Sequence, residues 1–358
     1  MASVPRDFAA LALAGILAVA LGGCAPPHEG VSTTAGTDDA SSEATTGSSS
    51  SETAAASDGT SDASTTDPSG TGTEGSSSGS DGAPTDASTT DASTTDATDS
   101  DTGEPPASLC VQTPETITCP HETVELQVSL LVDRAVHYQT PLGEPPASGW
   151  PVAFMFQGSL FTSELSWVGH IDGPFGMYFQ TLTLKRLLDA GYAVITPESH
   201  LGGATFWDTN VPPYTQNWAA APDHEFMLAI FEALEQGVFG PLDPSRWYAT
   251  GISSGGYMTS RMAVSYHGKF RALAIASASY ATCSGPLCLI PPQEPSHEPT
   301  LFLHGELDAV VPIATMYDYA DALQAAGVEH ELVVDPAVGH AWIPAAPDAV
   351  LTWFMSHP

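Results

Sequence analysis

Residues 247–257 read WYATGISSGGY and continue as MTSRMAVSY to residue 266. The run Trp247–Thr250 predicts a strand and Gly255–Tyr266 a helix, which places Gly251-Ile252-Ser253-Ser254-Gly255 on a strand-to-helix turn. A serine centred between glycines on such a turn has the form of a nucleophile elbow. The turn is strained, and only small neighbours let backbone and substrate approach closely. The pentapeptide alone is weak evidence in a chain rich in Gly and Ser, but its context strengthens it, since Gly256 follows and partners lie downstream in the right order. Ser253 is the expected nucleophile, and Ser254 is expected to offer its backbone N–H to an oxyanion hole.

A serine hydroxyl is a poor nucleophile at neutral pH, so a neutral imidazole must take its proton and return it to the leaving alcohol. His340, in Val338-Gly339-His340-Ala341-Trp342, follows the last predicted strand and precedes the closing helix, where this architecture presents its base. Activity is accordingly expected to rise as His340 loses its proton. The orienting acid belongs at the end of the preceding strand, where LFLHGELDAVVP supplies Asp308, with Glu306 as competitor. Asp308 is preferred because its spacing after His304-Gly305 and the following Val-Val-Pro fit the expected loop, and it would select the imidazole tautomer. His304 is read as structural, packed at the strand end. A second oxyanion donor is expected from Gln157-Gly158-Ser159, with Gly158 and Ser159 both open as its source.

Outward from this constellation, Val124–Val132 and Ala135–Tyr138 read as early strands, antiparallel at a sheet edge. Val152–Phe156, Tyr192–Thr196, Ala272–Ser277, Thr300–His304 and Glu331–Val334 read as strands. Helices are predicted over Met177–Ala190, Asp223–Gln236, Thr315–Ala326 and Asp348–Phe354. Strands alternating with helices of this length predict a mostly parallel central sheet covered by helices on both faces. Together with the elbow and the chain order serine, acid, histidine, the expected class is α/β, of the α/β-hydrolase fold.

Only residues 110–358 of the 358 have the composition to bury a core. Residues 24–109 are nearly all Ser, Thr, Ala, Asp, Gly or Pro, with the repeat TDASTTDASTTDAT at Thr85–Thr98. No periodic apolar residue drives folding there, so a disordered tether is expected, extended by its own acidic residues. Residues 1–23 read as a signal peptide, because the apolar stretch Phe8–Leu21 is shorter than the roughly 18 residues of a membrane span. Leu21-Gly22-Gly23-Cys24 resembles a bacterial lipobox, which implies lipidation of Cys24 and an exported protein anchored at the cell surface or outer membrane.

The formal charge of −34 and the lack of any basic run disfavour a nucleic-acid partner. In an exported chain Cys110, Cys119, Cys283 and Cys288 predict disulfides. Three pairings are open, of which Cys110 with Cys119 and Cys283 with Cys288 close the shortest loops. A four-cysteine zinc site lacks paired CxxC spacing, and the acyl-enzyme chemistry expected of Ser253 calls for neither metal nor cofactor.

Several longer strings carry a family resemblance: YQTPLGEPPASGWPV from Tyr138, FWDTN at Phe206, YATGISSGGYMTSRMAVS around Ser253, KFRALAIASASYATCSGPLC to Cys288, and PTLFLHGELDAVVP to Pro312. With these, the chain resembles the extracellular depolymerases of medium-chain-length polyhydroxyalkanoates over essentially all of Cys110–Pro358. The resemblance maps nucleophile, acid and base onto Ser253, Asp308 and His340 and matches the four cysteines. It implies hydrolysis of ester bonds in hydrophobic polyesters through an acyl-enzyme. The lipobox and tether depart from that family, whose members are typically released. Phe161, Trp167, Phe175, Phe206, Trp207, Tyr214 and Trp218 serve either an acyl pocket, polymer adsorption or the core, with packing favoured for each. The alternatives are a feruloyl or acetyl esterase of plant-wall esters and a non-catalytic surface binding protein with the same fold.

Overall fold

In the computed structural model, residues 107–199, 206–284 and 288–358 are described. The expected signal peptide, Cys24 and the tether as far as residue 106 lie outside the described residues. Among the described residues, no helix is long and apolar enough to cross a membrane.

Eight strands form the main sheet: β1 (Glu122–Ser129), β2 (Val132–Gln139), β3 (Trp150–Phe156), β4 (Ala193–Pro197), β5 (Leu242–Ile252), β6 (Ala272–Ala276), β7 (Thr300–Gly305) and β8 (His330–Asp335). Their spatial order is β1-β2-β4-β3-β5-β6-β7-β8. The β1–β2 and β2–β4 pairs are antiparallel and the remaining pairs are parallel. Burial along β1 alternates, as an edge strand with one wet face requires, whereas β4, β6 and β7 are buried at every residue.

Successive side chains of a strand point to opposite faces, and here each face meets helices. Ala153 and Met155 of β3 pack with α1 (Met177–Asp189) and α5 (Ala346–Ser356) through Leu184, Leu187, Trp353 and Phe354. Val152, Phe154 and Phe156 face the other way, toward Phe226 and Ile230 of α2 (Pro222–Glu235) and Met258 and Met262 of α3 (Ser254–Ser265). A third cluster joins Phe302 of β7 to Met316 and Tyr319 of α4 (Ile313–Ala326). The buried ion pair of Arg134 with Asp223, at 2.8 Å, ties β2 to the first turn of α2.

Three features go beyond the local patterns. β5 begins five residues before Trp247, because Trp150 pairs with Leu242 and Gly149 packs so closely that a Cβ would stand 2.5 Å from the Leu242 carbonyl carbon. Short strands at Val111–Gln112, Thr116–Thr118 and Val168–His170 make a separate antiparallel sheet. Of the three cysteine pairings, the structure has Cys110–Cys119, which closes the hairpin of that small sheet, and Cys283–Cys288.

Candidate active site

Ser253 sits between β5 and α3 with φ 55° and ψ −122°, a conformation that few non-glycine residues adopt. Its N–H donates to Ala276 O at 3.0 Å, at the end of neighbouring β6, and its carbonyl accepts Tyr257 N–H at 3.0 Å. Both ends of the serine are thus held, which maintains the strained geometry. The surrounding glycines are demanded by contact: a Cβ on Gly255 would stand 2.1 Å from Phe156 O, and one on Gly251 2.5 Å from Gly255 O. Since backbone, rather than a movable side-chain tip, fills that space, Gly255→Ala is expected to destabilise the fold by about 1–3 kcal/mol. The denaturant midpoint measures this; an unchanged midpoint refutes the packing argument.

The loop after β7 carries Asp308, which is 7% exposed, while Glu306 points to solvent. Asp308 Oδ1 accepts the N–H groups of Val310 and Val311, each at 2.8 Å. Its Oδ2 lies 2.8 Å from His340 Nδ1 and 3.2 Å from His304 Nε2. Burial pushes the Asp308 carboxyl up, but hydrogen bonds from His304, His340 and Val311 outweigh it and hold the group well below the usual carboxylate range. An ionised Asp308 makes His340 carry its hydrogen on Nδ1 and leaves Nε2 as the acceptor. The two loops meet because Gly305 has no side chain: a Cβ there would stand 2.3 Å from the carbonyl oxygens of Val338 and Gly339. Leu307 N–H also donates to Val338 O at 3.0 Å.

His304 does more than pack at the strand end. Its Nε2 is 3.0 Å from Val311 O and also reaches Asp308, and since both oxygens only accept, Nε2 bears the hydrogen. His304 is therefore a second donor to the carboxylate that faces His340.

Ser253 and His340 line one cleft, open to solvent, together with Gly158 and Ser159 of the loop after β3. Among the described residues no hydrogen bond joins Ser253 Oγ to His340. Ser254 is the first residue of α3, so its N–H has no carbonyl one turn back within the helix. The cleft is lined by the Gly158–Ser159 loop, a strained serine and an oriented imidazole, and the helix-start amide of Ser254 follows that serine directly in the chain. Such a set can transfer an acyl group to serine and then to water.

The seven aromatics divide. Trp167 and Trp207 are wholly buried and Trp218 nearly so, while Phe161 and Phe175 line the cleft. Tyr214 packs half-buried against the core, and Phe206 is half-buried. Trp207 braces the site: its N–H donates to Ser254 Oγ at 2.8 Å and its Nε1 to Gln157 O at 3.1 Å. Phe175 has φ 56°, its ring meets His340 edge-on at 5.9 Å, and its carbonyl accepts Trp342 N–H at 3.0 Å.

Sequence reasoning missed Glu198. Its carboxylate accepts Ser163 N–H and Ser163 Oγ, each at 2.7 Å, and Gln157 Nε2 at 3.0 Å, which clamps both ends of the loop that carries Gly158 and Ser159. The available signal was its place directly after β4, since open α/β sheets present functional residues at the carboxyl ends of their strands.

Residues 171–350 match the dienelactone hydrolase family, a span that contains Ser253, Asp308 and His340. The chain is 48% identical over 260 residues to a poly(3-hydroxyoctanoate) depolymerase of Pseudomonas fluorescens, covering 70% of this chain and 92% of that protein. Among solved structures, it is similar to a putative dienelactone hydrolase from Klebsiella pneumoniae, at 19% identity over 66% of this chain and 99% of that one, with a TM-score of 0.44. It is also similar to an alpha/beta hydrolase enzyme from a Medee basin deep-sea metagenome library, at 12% identity over 66% of this chain and 97% of that one, with a TM-score of 0.48.

Proposed function

From a chain that belongs to the dienelactone hydrolase family, and with it to the family of the poly(3-hydroxyoctanoate) depolymerase, we propose a serine esterase that hydrolyses hydrophobic polyesters of the medium-chain-length polyhydroxyalkanoate type. The observation that carries the mechanism is the Asp308–His340 hydrogen bond of 2.8 Å beside the cleft that Ser253 lines.

Ser253 Oγ attacks the ester carbonyl carbon as His340 Nε2 takes its proton. The negative charge that develops on the carbonyl oxygen is met by Ser254 N–H and by an amide of the Gly158–Ser159 loop. Collapse of the tetrahedral intermediate breaks the bond to the leaving alcohol, to which His340 returns the proton, and Ser253 holds the acyl group as an ester. Water then attacks with His340 again as base, and the acid product leaves with Ser253 restored. No step needs a metal or cofactor.

We further propose export and surface anchoring through Cys24, with residues 24–109 as tether. The lipobox-like LGGC and the two disulfides support this, because disulfides persist in oxidising compartments.

The purified enzyme is expected to clear a polyhydroxyoctanoate suspension and to act more slowly on feruloyl and acetyl esters of plant-wall type. Absence of clearing alongside rapid feruloyl or acetyl hydrolysis would replace the polyester reading with the plant-wall one.

A further inference from the structure

The cleft beside Ser253 is not lined uniformly. Phe161, Leu165, Phe175 and Met177 are apolar, but Ser166 and Gln180 also line it, only 1% and 8% exposed. Gln180 Nε2 donates to Ser166 Oγ at 2.7 Å. A hydroxyl and an amide buried beside apolar side chains cost free energy unless their hydrogen bonding is complete. The bond between them engages one amide hydrogen and one oxygen lone pair. Among the described residues, the second Gln180 N–H and the Ser166 hydroxyl hydrogen are left for another acceptor.

Gln157, 1% exposed and also lining the cleft, differs from this pair, because it is left with a spare acceptor rather than a spare donor. Its Nε2 donates to Phe161 O at 2.7 Å and to Glu198 Oε1 at 3.0 Å. Both are acceptors only, so the amide orientation is fixed and Oε1 is left without a partner.

A straight alkyl chain would offer the spare donors of Ser166 and Gln180 nothing. A 3-oxyacyl unit offers an alkyl branch and, two carbons from the ester carbonyl, an oxygen that accepts hydrogen bonds whether it is a free hydroxyl or the next ester link. We propose that the cleft takes the acyl side of the scissile ester and reads its C3 oxygen through Ser166 and Gln180, with the alkyl branch against Phe161, Leu165, Phe175 and Met177. Ser166 and Gln180 are then specificity-determining residues. The proposal rests on the ester-hydrolase reading above and adds the feature of the acyl group that is recognised.

The test uses the full chain and two soluble probes, methyl 3-hydroxyoctanoate and methyl octanoate. Each kcat/KM is divided by that ester's hydroxide-catalysed rate, to remove intrinsic reactivity. The wild-type ratio is expected to favour the 3-hydroxy ester about tenfold, the scale of one good hydrogen bond. Gln180→Met, of similar volume, and Ser166→Ala are each expected to bring the ratio close to one, whatever they do to absolute rates. A wild-type ratio near one overturns the proposal, as does an unchanged ratio in folded Gln180→Met. If Gln180→Met does not fold, the wild-type ratio and Ser166→Ala decide. Equal hydrolysis of both esters removes this inference alone, whereas hydrolysis of neither ester nor polymer removes the esterase reading as well.

Discussion

Ser253→Ala is expected to lower kcat on any ester substrate by about 10⁶-fold, the scale seen when a serine nucleophile that works with a histidine is deleted. The physical reason is that the chemistry depends on one oxygen. Without Oγ the imidazole can at best activate water, and the oxyanion donors alone leave a small residual rate. Stability should barely move, because the backbone bonds from Ser253 to Ala276 and Tyr257 do not involve the side chain. His340→Ala should cost about as much, and the double variant little more than either single, since base and nucleophile act as one unit. Fluorophosphonate labelling gives an independent reading: the wild type labels and Ser253→Ala does not. Substantial activity in folded Ser253→Ala would end the acyl-enzyme mechanism.

Asp308→Asn should cost about 10⁴-fold in kcat, because the amide can present its NH₂ to His340 Nδ1 and favour the tautomer with its hydrogen on the wrong nitrogen. Both Asp308 oxygens are already committed, Oδ1 to the amides of Val310 and Val311 and Oδ2 to His340 and His304. An asparagine that keeps its oxygen on the backbone amides turns donors toward donors at two histidines. The accompanying loss of stability, on the order of 2 kcal/mol at neutral pH, follows from leaving buried donors unmatched. Its pH dependence has a definite sign. The folded Asp308 carboxyl is held below its ordinary value, so its contribution is full above the unfolded pKa of about 3.9 and is lost as pH falls through the lower folded value. Denaturation at pH 7 and pH 3 should therefore show a wild-type advantage that narrows on acidification. An advantage that widened in acid would contradict the assigned ionisation.

The site was legible in proportion to how local its signals are. Gly251 to Gly255 announces itself because the same close approach that forces the serine into a strained turn also forbids neighbouring side chains. The loop position favoured Asp308 over Glu306 as the candidate acid, and the structure has Asp308 buried against His340 with Glu306 exposed. His304 was visible as a residue but not as a donor to Asp308, because that contact depends on how the loop after β7 folds back. Glu198 was invisible as a clamp, since its partners Gln157 and Ser163 lie 41 and 35 residues away in the chain.

The sequence by itself determined that strands and helices alternate, that β1 lies at an edge, that the elbow joins a strand to a helix, and the order in which serine, acid and histidine follow one another. Those are consequences of periodicity, backbone freedom and chain order, all of which are written locally. Only the tertiary structure decided which cysteines pair, which aromatics line the cleft rather than the core, where β5 begins, and that Ser166, Gln180, Glu198 and His304 stand around the site. Each of those depends on contacts between residues far apart in the chain, which exist only once the sheet has brought its carboxyl ends together.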